Sequence, residues 1–92
     1  MAVEVRAVMP GVTAEQMRPF LAQLGGKIKA FPGFVAHASG PVEGGYHVTE
    51  IWESQDAYER WVREVVMPAM QQMGGGRPPQ PEYLSADTVV TR

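Results

Sequence analysis

The stretch Gly33-Phe34-Val35-Ala36-His37-Ala38-Ser39-Gly40, then Pro41-Val42-Glu43-Gly44-Gly45, then Tyr46-His47-Val48-Thr49-Glu50-Ile51-Trp52-Glu53-Ser54, decides how this chain folds. Two short runs with β character flank a break rich in Gly and Pro, which is the signature of a β-hairpin. The second run passes at Ser54 into a helix, because a Ser hydroxyl accepts from the free amides of a first helical turn. The hairpin and that helix hold both histidines, both tryptophans and two of the three tyrosines, Tyr46 and Tyr58. Any chemistry belongs here.

Outward from the hairpin, the N-terminal segment alternates Val3, Val5 and Ala7 with Glu4, Arg6 and Val8, the period of a strand with one buried face, over about residues 2–9. Met9-Pro10-Gly11-Val12 breaks it. Thr13 followed by Gln16 has the form of a capping box, and Met17, Phe20, Leu21 and Leu24 recur at helical spacing, which predicts a helix ending near Leu24 at Gly25-Gly26. Pro19 within it predicts a bend. The hairpin strands are expected over about Phe34–Ser39 and Tyr46–Glu53.

The second helix is expected from Ser54 to about Met73, with Ala57, Tyr58, Trp61, Val62, Val65, Val66, Ala69 and Met70 as its apolar stripe and a kink at Pro68. Gly74–Pro81 reads as a linker, and Glu82–Thr91 as a last strand. The whole is a single domain over residues 1–92, α+β, with βαββαβ order. The crossover rules fold that order into a ferredoxin-like, four-stranded antiparallel sheet with both helices on one face. The other face, with Val8, Val35 and Ile51, is too apolar to stand in water, and the simplest cover is a second copy of the chain, so a homodimer is expected.

Composition removes several function classes. The absence of cysteine excludes disulfides, thiolate catalysis and Cys-ligated metal centres and fits a reducing cytoplasm. A net charge of −2, with eight basic residues scattered along the chain, offers no footprint for nucleic acid. No apolar run is long enough for a membrane span, and the N-terminal residues lack the features of an export signal. The Gly74–Pro79 run lacks the Lys-Ser/Thr of a phosphate-binding loop.

The βαββαβ order, Pro32-Gly33-Phe34 before the second strand, and Trp52-Glu53-Ser54-Gln55-Asp56-Ala57-Tyr58 with Trp61 behind it resemble the antibiotic-biosynthesis-monooxygenase family of dimeric α+β-barrel proteins. The resemblance covers nearly the whole chain. It implies a dimer with back-to-back sheets and a small-molecule cavity between sheet and helices. The activities it implies are cofactor-free oxygenation or cyclisation of flat, mostly apolar aromatic or polyketide-like substrates, with no cofactor and no metal. A non-catalytic binding or sensing dimer is the alternative, and haem degradation a minor one.

The sequence departs from the family's best-described branches. Both oxygenase branches use an asparagine in the cavity, and this chain has none. In the haem-degrading branch a helix Trp is followed ten residues later by the iron-ligating His; Trp61 resembles the Trp, but Gln71 stands at the second position.

His37 and His47 are the candidate catalytic groups, since imidazole is the side chain whose ordinary titration range suits proton transfer near neutrality. If Gly40 pairs with Gly44, His37 lies opposite His47 on one face; if Gly40 pairs with Gly45, the two point to opposite faces. Two histidines without a third ligand do not make a metal site. Trp52 and Trp61 are candidate cavity walls against plain core packing, and Tyr46 and Tyr58 candidate donors to a substrate carbonyl against wet hydroxyls. Arg6, which shares its face with Glu4, and Glu50, which shares its face with Trp52, are candidate polar groups of the cavity, a solvated ion pair being the plainer reading. No Ser-His-Asp or other nucleophile–base motif has usable spacing, so covalent catalysis is not expected.

Overall fold

The computed structural model describes residues 2–72 and 80–92. The elements run β1 (Ala2–Pro10), α1 (Ala14–Ala30), β2 (Phe34–Val42), β3 (Gly45–Trp52), α2 (Gln55–Trp61), a π-helical turn over Val62–Val66, α3 (Met67–Gln72) and β4 (Glu82–Ala86). The four strands form one antiparallel sheet in the order β2-β3-β1-β4, the ferredoxin-like arrangement expected from the element order. The expected helix end at Met73 and the Gly/Pro linker over residues 74–79 lie outside the described residues.

The capping box at Thr13 is present in full. The Thr13 hydroxyl accepts from the Gln16 amide and the Gln16 side chain accepts from the Thr13 amide. The helix then runs past Gly25-Gly26, where the sequence predicts its end. The apolar stripe explains the difference: Ile28 continues the spacing of Met17 and Leu24, and all three are buried. Burying another aliphatic side chain is worth roughly 1.5–3 kcal/mol, enough to offset about 1 kcal/mol for each helical glycine. Phe31 stops the helix instead, extended at φ −79° and ψ 133° because the residue before a proline disfavours helical geometry.

The hairpin closes in neither of the two expected registers. Val42 pairs with Gly45 and Gly40 with His47, leaving a two-residue turn at Glu43-Gly44 in which Gly44 takes the positive φ of 78°. Pro41 is tolerated inside β2 because β2 is an edge strand. Nearer its start β2 carries a bulge between Phe34 and Ala36, so that Phe34 faces Trp52 while Ala36 faces Ile51. At the opposite end of the chain, β4 is shorter than the expected strand and stops at Ala86.

Pro68 acts one turn earlier than a simple kink. A proline ring clashes with the carbonyl four residues back and offers it no N–H. The chain responds by widening: the Met67 amide reaches the Val62 carbonyl, five residues back, and the α-helix resumes at Met67. The wide turn places Val62 and Val66 beside Trp61 and Met70 along the cavity described below.

The core lies between the sheet and the helices. Val3 and Val5 of β1 pack with Leu24, Ile28, Trp61, Ala69 and Trp52, which has 0% exposure. The Trp52 ring meets Phe31, Phe34 and Tyr58 edge-on at centroid distances of 6.1, 5.5 and 6.0 Å, favourable geometry for aromatic pairs. The other sheet face is more mixed than the sequence suggests. The pairing puts Glu4, Arg6, His47, Thr49 and Glu82 there among Val8, Ile51 and Leu84. Val8 is 57% exposed, whereas Ile51 is half-buried within the single chain.

Candidate active site

A cavity of about 470 Å³ opens between α1, the second helical segment and the helix-facing side of the sheet. Its walls are largely apolar. Met17, Phe20, Leu24 and Ile28 come from α1; Trp61, Val62, Val66 and Met70 from the opposite helical segment; Val5, Ala7 and Val48 from the sheet floor. Gly25, one of the two glycines that fail to stop α1, lines it as well and leaves it wider there.

The polar groups on the wall are few and connected. Strand pairing sets His37 opposite Glu50 and Ser39 opposite Val48, so His37, Ser39 and Glu50 all face the cavity. Glu50 is buried at 6% exposure and accepts the Trp52 indole N–H at 2.8 Å. Its second oxygen lies 2.6 Å from His37 Nδ1, and His37 Nε2 lies 3.0 Å from Ser39 Oγ. Tyr46, also buried, donates its hydroxyl to Ser39 Oγ at 3.5 Å.

One assignment of protons satisfies every member. The Glu50 carboxylate only accepts, so a neutral His37 carries its proton on Nδ1 and keeps a lone pair on Nε2, which accepts from the Ser39 hydroxyl. The buried Trp52 N–H fixes the carboxylate, the carboxylate fixes the imidazole, and Nε2 is turned toward Ser39. The His37 side chain is 25% exposed. Tyr58 closes the wall near Glu50. Burial in the first place, then the charge of Glu50 and the neighbouring Tyr83, push its hydroxyl well above the ordinary phenol range, so it stays a neutral donor at physiological pH.

The structure separates the residues singled out in the sequence. His37 and Trp61 stand in the cavity wall, and Glu50 stands there as the buried partner of His37. Trp52 is core, one step behind the wall, and acts on the cavity only through Glu50. Tyr46 reaches the site through Ser39. His47 and Arg6 are on the other sheet face: His47 pairs with Gly40 and Val8, and Arg6 makes an exposed ion pair with Glu4 at 2.7 Å. The odd-numbered offset of the two-residue turn is the reason, because a one-residue change of register moves a strand's side chains to the opposite face.

Ser39 escapes the sequence reading, and with it the hydroxyl–imidazole–carboxylate contact that spacing along the chain does not reveal. The signal was a strand with His and Ser two positions apart; what was missing was the register that sets Glu50 opposite.

No protein-family model matches the chain, and no curated protein matches its sequence. Solved structures do match in three dimensions. The cofactor-independent oxygenase SnoaB from Streptomyces nogalater superposes with a TM-score of 0.67 at 15% identity, covering 99% of this chain and 97% of that one. The haem-degrading protein Rv3592 from Mycobacterium tuberculosis gives 0.66 at 20% identity over 99% and 100%. A monooxygenase from the gene ActVA-Orf6 of Streptomyces coelicolor, in complex with nanaomycin D, gives 0.59 at 18% over 99% and 89%. Likeness of this extent at such low identity is a statement about backbone architecture: the chain has the ferredoxin-like fold of the antibiotic-biosynthesis-monooxygenase proteins.

Proposed function

We propose that the protein is a small-molecule enzyme of the cofactor-independent oxygenase kind, acting on a flat, mostly apolar hydroxylated aromatic substrate. The observation that carries this reading is the His37–Glu50 pair, 2.6 Å apart, set in the wall of an otherwise apolar cavity. The aromatic and aliphatic walls supply affinity and exclude water; the imidazole supplies the base. A substrate phenol or acidic C–H displaces the Ser39 hydroxyl, which turns on a single rotatable bond, and gives its proton to Nε2. Glu50 steadies the imidazolium so formed. The substrate anion then reduces dioxygen itself, and oxidation of a ring methylene to a ketone takes up one oxygen atom and releases the other as water. The similarity to SnoaB and to the ActVA-Orf6 monooxygenase supports the reaction class. The working unit in this reading is a homodimer joined through the open sheet face, whose exposed Val8 and Leu84 a second copy would cover.

Dioxygen uptake with a hydroxylated anthrone tests the reading. His37→Gln is expected to lower turnover about 10²–10⁴-fold, the ordinary worth of a positioned base, while binding stays within a few-fold. Trp61→Ala is expected to weaken binding more than turnover. Full turnover in His37→Gln would refute the assignment, and tight binding without turnover by the wild type would leave a binding module in its place.

A further inference from the structure

We propose that Ser39, His37 and Glu50 also form a nucleophile, a base and an orienting carboxylate, and that the cavity hydrolyses activated aryl esters through an acyl-enzyme on Ser39. This goes beyond the oxygenase reading: it shares the His37–Glu50 contact and adds those of Ser39 with His37 and Tyr46. Ser39 Oγ lies 3.0 Å from His37 Nε2, and His37 Nδ1 lies 2.6 Å from Glu50. Those are hydrogen-bonding distances for both steps of a hydroxyl–imidazole–carboxylate chain, an arrangement recognised by geometry and role rather than by order in the sequence. The carboxylate is itself held by the Trp52 indole at 2.8 Å, so the imidazole tautomer that leaves Nε2 basic is set by the protein. All three side chains face the cavity. Their spacing follows from the pleat: His37 and Ser39 are two residues apart on one strand face, and pairing brings Glu50 opposite His37.

In the first step Ser39 Oγ attacks the ester carbonyl carbon and its proton passes to His37 Nε2. The bond from that carbon to the aryl oxygen then breaks, and the aryl oxide either leaves with the proton from His37 or, where it is too weakly basic, leaves as the anion while His37 releases the proton to solvent, so that the imidazole is neutral again. Water attacks the acyl-Ser39 with His37 as base, the acid departs, and Ser39 recovers its proton. Ester and water give acid and phenol. The Tyr46 hydroxyl, 3.5 Å from Ser39 Oγ, is the donor placed to meet the oxyanion that forms on the carbon bonded to Oγ. A single donor is a weaker cradle than two, each being worth about 10²–10³ in rate, so the geometry selects esters with good leaving groups. The apolar wall receives the acyl chain.

The test is stopped-flow hydrolysis of p-nitrophenyl butyrate by the folded wild-type protein, with peptide mass mapping of the quenched enzyme. A burst of p-nitrophenolate and a butyryl group on Ser39 are expected. Ser39→Ala should remove both while keeping the wild-type circular dichroism spectrum, Ser39→Cys should still acylate, and His37→Gln should slow acylation by about 10²–10⁴-fold. Hydrolysis at an undiminished rate in Ser39→Ala, acylation of a different residue, or the absence of both burst and adduct in the wild type would overturn the proposal. Because the wild-type adduct map decides even if a variant misfolds, and because no step involves dioxygen, the outcome is separable from that of the oxygenase test.

Discussion

Replacing Glu50 by Gln tests the polar chain at its buried anchor. The two side chains have the same shape, but the amide has one acceptor where the carboxylate has two. Glu50 accepts from Trp52 at 2.8 Å and from His37 at 2.6 Å, so Gln can keep only one of these partners as it stands. Keeping the Trp52 bond points the amide NH₂ at His37 Nδ1, which must then become an acceptor and move its proton to Nε2. Keeping the His37 bond faces the indole N–H with an NH₂ group and strands a buried donor. The first outcome is cheaper. Both bonds lose their charge assistance, each falling from about 1.5–3 kcal/mol to about 0.5–1.5 kcal/mol, for an expected destabilisation of about 2 kcal/mol. Function suffers more, since the basic lone pair moves to the buried side of the ring. Loss of the correct tautomer costs up to about 10⁴ in turnover in the well-studied hydroxyl–imidazole–carboxylate enzymes. Urea unfolding measures the first figure and long-range ¹H–¹⁵N spectra of the imidazole report the tautomer. If His37 keeps its proton on Nδ1 in Glu50→Gln, or if both the oxygenase and the esterase reactions persist at wild-type rate, the proton assignment is wrong.

The backbone at Gly33 makes a second prediction: φ is +93° and a Cβ built there would lie 2.5 Å from Ala57 Cβ, so Gly33→Ala is expected to cost about 2–4 kcal/mol, with the overpacking part recovered by Ala57→Gly in a double-mutant cycle. Alkaline pH provides a third. Because the folded protein holds the Tyr58 proton more tightly than the unfolded chain, its contribution is constant below about pH 10 and stability falls above it, by up to about 1.4 kcal/mol per pH unit. Tyr83 is shifted the same way by burial and Glu59, so Tyr58→Phe should reduce the slope of unfolding free energy against pH without abolishing it; identical slopes would count against the burial of that hydroxyl. For the proposed assembly, sedimentation at micromolar concentration should give about twice the 10.1 kDa chain mass, and Val8→Asp should lower it to that of one chain; a wild-type monomer at all concentrations would remove the dimer.

Local chemistry made much of the fold readable along the chain. The alternation Val3, Val5, Ala7 marks a half-buried strand whatever it packs against, the Thr13/Gln16 capping box starts a helix wherever it occurs, and Ser54 caps α2 by accepting from the Ala57 amide. These signals act within four residues and need no partner. Local preference yields where a distant partner outweighs it. Gly25-Gly26 should stop a helix, but Ile28 gains more by packing into the core than the glycines cost. Pro68 should kink one, but the helix absorbs it as a wide turn beside the cavity.

The site depended on one integer that the sequence left open. Composition and pattern alone determined a single antiparallel α+β layer with its histidines, tryptophans and acidic partner gathered on one hairpin and the helix after it. The register of that hairpin decided the rest. A turn of two residues sets His37 against Glu50 and sends His47 to the opposite face; a turn of three would have paired the histidines. Turn length is chosen by the sum of cross-strand contacts, by the positive φ available at Gly44 and by the pairing of β3 with β1 on its far side, the last of which is not visible within β2 and β3 alone. Ser39 and Tyr46 joined the site by the same parity. Chemistry here is placed by pairing across strands, and only the folded sheet holds that information.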